Sequence, residues 1–115
     1  MNYSGSCHCG KIAYTVEAEM QEATECNCSI CQSRGYLLWF LPREKLTLKT
    51  PEDAMKHYSF NTHRIRHFFC PECGSAPFGM GTDGKGNAMV AVNVRCLEGI
   101  DLAAVKRKPF DGRKL

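Results

Sequence analysis

With 115 residues, 43% of them hydrophobic and 23% charged, the chain is sized for a single domain over residues 1–115 with a modest apolar core. A formal net charge of +3 is too small to indicate a nucleic-acid partner, and no apolar run approaches the ~20 residues that a membrane-spanning helix needs. The first nine residues, Met1 to Cys9, carry neither the basic nor the apolar region of a secretion signal, so a soluble cytoplasmic protein without a membrane partner is expected.

The first chemical feature is Cys7-His8-Cys9, bracketed by Gly5 and Gly10. Glycines there permit the tight path by which two thiolates one residue apart can face a common ion. Residues 11–17 follow with Ile12, Tyr14 and Val16 in alternation, the pattern of a half-buried strand. Residues 17–23 read as a strand end or an acidic exposed turn. Cys26, Cys28 and Cys31 crowd the next segment, where Ser29 can cap a short helical turn carrying Cys31. The apolar run 36–41, stopped by Pro42, reads as a buried strand.

Leu46 and Leu48 alternate, and Pro51 can open a helical turn through Ala54 and Met55. Tyr58-Ser59-Phe60 reads as a short strand, Asn61-Thr62 as a turn, and residues 64–69 as a strand with Ile65, His67 and Phe69 on one face and Arg64, Arg66 and Phe68 on the other. That strand delivers Cys70-Pro71-Glu72-Cys73-Gly74, in which two sulfurs can meet one ion and the glycine relieves crowding. Residues 75–81 continue as an edge-like strand and turn, Asp83 to Gly86 as a hairpin connection, and 88–94 as a strand. Residues 100–105 suggest a helical turn, and the basic segment 106–109 is expected to be solvated. The whole is mainly β, an antiparallel architecture with cysteine knuckles at loop ends and no internal repeat.

Seven of the eight cysteines thus fall into groups. The natural partition sets Cys7, Cys9, Cys70 and Cys73 as a closed tetrahedral zinc site, and Cys26, Cys28 and Cys31 as a triplet that leaves one coordination position open. A secreted disulfide framework is the competing reading of the eight, and a redox pair that of Cys70 and Cys73; the missing secretion signal and the absence of a strand-to-helix context weigh against them. Cys96 continues the alternation of Val90, Val92 and Val94 and is expected as a small buried side chain on their strand face rather than a ligand. His8 would point away from its flanking cysteines in an extended backbone. His67 could bond a metal-bound sulfur or simply be satisfied at a sheet edge. Arg34, His57, His63, Arg64 and Arg66 could meet the carboxylates of an anionic ligand, although an exposed basic face accounts for them as well.

Gly5-Ser6-Cys7-His8-Cys9-Gly10-Lys11-Ile12, Cys26-Asn27-Cys28-Ser29-Ile30-Cys31 and Phe69-Cys70-Pro71-Glu72-Cys73-Gly74 together resemble the glutathione-dependent formaldehyde-activating enzyme family, which includes centromere protein V-like domains. Tyr58-Ser59-Phe60 and residues 92–97 resemble its later strands, so the likeness spans most of the chain. The resemblance implies an Mss4-like fold and a structural zinc on Cys7, Cys9, Cys70 and Cys73. It further implies, in members that carry it, a second zinc on Cys26, Cys28 and Cys31 associated with glutathione binding and catalysis. The implied activity is that of a carbon-sulfur lyase acting on S-hydroxymethylglutathione or another small-thiol adduct. The alternative is a non-catalytic, zinc-stabilised module that binds protein or nucleic acid.

Overall fold

The computed structural model describes residues 2–60 and 65–111, arranged as two sheets. Strands β1 (Asn2–Ser6), β2 (Ala13–Glu17) and β5 (Leu46–Leu48) form a three-stranded antiparallel sheet in the order β1-β2-β5. The larger sheet holds β3 (Ala23–Cys26), β4 (Leu38–Pro42), β6 (Lys56–Tyr58), β7 (Arg66–Phe69), β8 (Phe78–Thr82), β9 (Ala88–Asn93) and β10 (Arg107–Phe110). Its seven strands run in the order β10-β3-β4-β9-β8-β7-β6, antiparallel except for β10 against β3. Helix α1 (Ser29–Arg34) joins β3 to β4, and short 3-10 turns interrupt the connections elsewhere.

Strand alternation decides what each sheet buries. Ile12, Tyr14 and Val16 are all buried and meet Trp39, Leu41, Phe68, Phe78, Met80, Val90 and Val92 in one core cluster. Edge-to-face rings tie the sheets together, Tyr14 on Phe78 at 5.2 Å and Tyr3 on Trp39 at 5.4 Å. Each such large side chain contributes about 1.5–3 kcal/mol through burial. Gly5 on β1 is what lets Tyr14 lie flat there, since a Cβ at that position would strike the Tyr14 ring. Burial pushes the Tyr14 hydroxyl up, and among the described residues its oxygen has no hydrogen-bond partner.

The opposite face of the larger sheet carries the residues of the other parity. One cross-strand row runs Tyr58, His67, Gly79, Ala91, Phe40 over β6, β7, β8, β9 and β4. Rings stand at its ends and almost nothing rises from its middle. Below this trough, Asn93 is buried and knits the sheet: its side chain accepts from the amides of Leu37 and Arg95 and donates to the Ala76 carbonyl at 3.1 Å.

Several expectations from the sequence need correction. Strands β1 and β3 carry no sequence signal, because neither NYSGS nor ATEC shows an apolar alternation. Ser29 is the first helical residue rather than the cap; extended Cys28 takes that position without a side-chain bond. The strand placed at Tyr58-Ser59-Phe60 is shifted to Lys56–Tyr58. β8 lies inside the sheet, between β9 and β7; its alternating glycines leave one face bare rather than marking an edge. The basic segment is exposed as expected, yet it forms β10, whose backbone pairs with β3 and whose Arg107 bonds Glu25 at 3.1 Å. The expected turn at Asn61-Thr62 lies outside the described residues, as do His63 and Arg64.

Candidate metal centres

Two turns of similar build bring the first cluster together. Between β1 and β2, the Cys7 amide bonds the Ile12 carbonyl and the Gly10 amide bonds the Cys7 carbonyl, both at 3.1 Å. After β7, the Cys70 amide bonds the Ser75 carbonyl at 3.0 Å and the Gly74 amide the Cys70 carbonyl at 2.9 Å. Gly10 and Gly74 both hold positive φ, 84° and 80°, which lets each loop reverse without a Cβ clash. The sulfurs of Cys7, Cys9, Cys70 and Cys73 lie within 4.8 Å of one another and could hold a metal ion. Cys7 and Cys9 sulfurs are 3.7 Å apart, those of Cys9 and Cys70 3.6 Å. Four sulfurs about 2.3 Å from a tetrahedral ion would stand about 3.8 Å apart, so the spacing fits that ion.

The local electrostatics agree. The Ile12 amide donates to the Cys7 sulfur at 3.3 Å and the Glu72 amide to the Cys70 sulfur at 3.4 Å. The amides of Ser75 and Cys9 hold Cys73 down at about 5. At Cys9 the Lys11 amide works downward, but the Cys70 thiol, desolvation and the Cys7 and Cys73 thiols together raise it to about 11. One sulfur ionises readily while its neighbour keeps a proton, the compromise of crowded thiols that a cation in their midst would remove.

The second cluster is built on the β3 to α1 junction. Cys26 ends β3, Cys28 caps α1 and Cys31 lies in its first turn. The Gln32 amide bonds the Cys28 carbonyl at 2.9 Å, the Cys28 amide reaches the Cys26 sulfur at 3.4 Å, and left-handed Gly35 turns the chain back into β4. The three sulfurs gather within 4.8 Å, a set that could also hold an ion. Burial pushes the Cys31 thiol up, reinforced by Cys28 and Cys26 beside it. Burial acts the same way on Cys28, but the amides of Cys31 and Ile30 and the thiols of Cys31 and Cys26 outweigh it and hold Cys28 below its ordinary value.

All three cysteines open into a cavity of about 370 Å³ over the bare trough of the sheet, walled by Ile30, Tyr36, Leu38, Phe40, Phe60, Ile65, His67 and Phe110 and floored by Gly79 and Ala91. His67 stacks between Phe60 at 5.7 Å and Tyr36 at 6.2 Å. Burial first, and the Arg34 charge second, hold its imidazole below its ordinary value of 6.5, so it is neutral at pH 7. A neighbouring hollow of about 350 Å³ presents Ser29, Ser33 and Arg34 on the far side of Ile30 and Phe60.

The seven cysteines singled out by spacing therefore assemble four and three, as that spacing predicts. His8 is exposed and stands outside both clusters, its amide 3.4 Å from the Ser75 hydroxyl. His57 packs on Phe68, Arg66 pairs with Glu52 at 2.8 Å, and Arg34 donates to the Tyr36 hydroxyl at 2.8 Å. Cys96 departs from the expectation. β9 ends at Asn93, and a 3-10 turn takes Cys96 off the valine face, leaving its sulfur 3.9 Å from the Ala76 carbonyl. The residues missed from sequence are Gly79, Ala91, Phe40 and Phe110; Gly79 and Gly81, alternating with Phe78 and Met80, were the available sign of a sheet face without side chains.

A family model described as glutathione-dependent formaldehyde-activating enzyme matches residues 2–109. Among solved structures, the crystal structure of a Rhodobacter sphaeroides protein, a structural genomics target, is similar with a TM-score of 0.76 at 29% identity, over 94% of this chain and 100% of that one.

Proposed function

The chain belongs to the glutathione-dependent formaldehyde-activating enzyme family, an Mss4-like family, and from that premise we propose that it is a zinc protein that makes or breaks the carbon-sulfur bond of a hydroxymethyl adduct of glutathione or another small thiol. The observation that carries this is the meeting of three sulfurs, from Cys26, Cys28 and Cys31, in the wall of a cavity large enough for a small molecule. Thiolate sets of this kind suit zinc. In this reading Cys7, Cys9, Cys70 and Cys73 would hold a structural ion, and Cys26, Cys28 and Cys31 a second that would attract the substrate sulfur.

Zinc at the triplet would favour the ionised form of an incoming thiol. The chain's own part is to confine and orient. In the forming direction the thiol sulfur bonds to the formaldehyde carbon, the C=O π pair moves to oxygen, and the proton lost from sulfur ends on the new hydroxyl. Cleavage reverses each of these. Holding both reactants in one cavity removes much of the entropic barrier. Neutral His67, in the same wall, would carry the proton between sulfur and oxygen on the unprotonated nitrogen of its ring.

The test is to titrate reduced, zinc-loaded protein with glutathione while following zinc content and coordination by X-ray absorption, with Cys28→Ser as control. About two zinc ions per chain, and a sulfur contact added by glutathione that the variant lacks, are expected. A single closed, glutathione-insensitive site would overturn the catalytic reading of the triplet and favour a structural or interaction role.

A further inference from the structure

We infer that the thiol taken by this cavity carries an apolar substituent, in preference to the doubly carboxylated peptide of glutathione. The inference rests on the thiol-adduct reading above and narrows its substrate class.

The argument begins with register. Gly79 and Ala91 stand side by side at the centre of the cross-strand row, so the sheet offers a floor of backbone and one methyl. Large apolar side chains rise around that floor. Three of them, Phe40, Ile65 and Phe110, are respectively 53%, 48% and 45% exposed although they line the cavity. Exposed side chains of this size, converging on one hollow, are an apolar surface that a ligand would cover. Thiolates at one end and hydrocarbon along the walls match a molecule with sulfur at one end and hydrocarbon behind it.

Charge points the same way. Among the described residues that line the cavity, none is a lysine or an arginine, and His67 is held neutral by its burial. A carboxylate brought in among these residues would lose water without gaining a cation from any of them. Among the described residues, Arg34 borders the cavity but is engaged elsewhere: its guanidinium bonds the Tyr36 hydroxyl, lies 5.5 Å from the Phe69 ring centre and opens onto the neighbouring hollow.

The experiment compares phenylmethanethiol with glutathione by calorimetry on zinc-loaded wild type under reducing conditions, with phenylmethanol as the sulfur-free control and Cys28→Ser as the site control. Phenylmethanethiol should bind at least about tenfold more tightly than glutathione, since one methylene in an apolar site is worth roughly that much. Ile65→Lys, at a half-exposed position that does not threaten folding, should narrow or reverse the preference by placing a cation at the rim. Glutathione binding as tightly as phenylmethanethiol to wild type, and lost in Cys28→Ser, would overturn the apolar preference while leaving the thiol reading intact. Phenylmethanol binding as tightly as phenylmethanethiol, or thiol binding that survives Cys28→Ser, would overturn the thiol reading and the inference with it.

Discussion

Substituting one cysteine in each cluster should have very different consequences for stability. Cys9 and Cys70 are 61 residues apart in sequence, so an ion shared by the two turns closes a loop of that length. The chain-entropy relation for cross-links puts the stabilisation from such a closure at about 4 kcal/mol, before any direct contribution of ion binding. Cys26 and Cys31 are separated by only a few residues, and the same relation assigns their closure about 2 kcal/mol, with much of that segment already ordered by α1 and β3. Cys73→Ser should therefore lower the unfolding free energy by about 4 kcal/mol or more, roughly 15 °C in melting temperature for a domain of this size. Cys28→Ser should cost less than half as much. Urea and thermal denaturation of the two variants, each with its zinc content measured, give the comparison. Equal losses, or a Cys73→Ser protein that keeps the wild-type midpoint, would refute the division into a structural clamp and a local, open triplet.

Two further outcomes follow from particular contacts. Gly5→Ala would drive a Cβ into the ring of buried Tyr14, and should destabilise by about 1–3 kcal/mol, the usual cost of overpacking; an unchanged urea midpoint would show that β1 can move away without loss. His67 resists protonation in the folded state, through burial and then through Arg34, whereas the unfolded chain takes up that proton near pH 6.5. Below that pH the unfolded state therefore binds more protons, so this destabilisation is absent at pH 7.5 and grows as the pH falls toward the folded-state value. Wild type should lose more stability between pH 7.5 and 5.5 than His67→Gln, and parallel acid limbs would count against a folded-state origin.

The two cysteine clusters were legible because their spacing is written in short intervals. Two sulfurs one or two residues apart can face one point whatever the rest of the fold does, and the glycines at 10 and 74 mark where the loops reverse. Core strands announced themselves too, since Ile12, Tyr14 and Val16 can be buried together only in an extended backbone. The strands that escaped notice are held mainly by backbone pairing. β1 packs through the absence of a side chain at Gly5, and β10, exposed at every position, is defined by what its main chain bonds to. The cavity was the least accessible of all. Its floor depends on Gly79 lying opposite Ala91, a matter of pairing between strands, and its walls combine Phe40 with Phe110, which no local pattern joins.

The parallel pairing of β10 with β3 sets Phe110 opposite Cys26 and brings the Asn27 amide to the Phe110 carbonyl at 3.2 Å. Synthesis proceeds from the N-terminus, so both turns of the four-cysteine cluster leave the ribosome before residue 110 does, and they can meet on a growing chain. The strand bearing the first thiol of the triplet, by contrast, waits for its outer neighbour until almost the last described residues emerge. The order of synthesis thus lets the four-cysteine cluster assemble first, whereas the three-cysteine end acquires its full frame only once the remainder of the scaffold stands ready to enclose it.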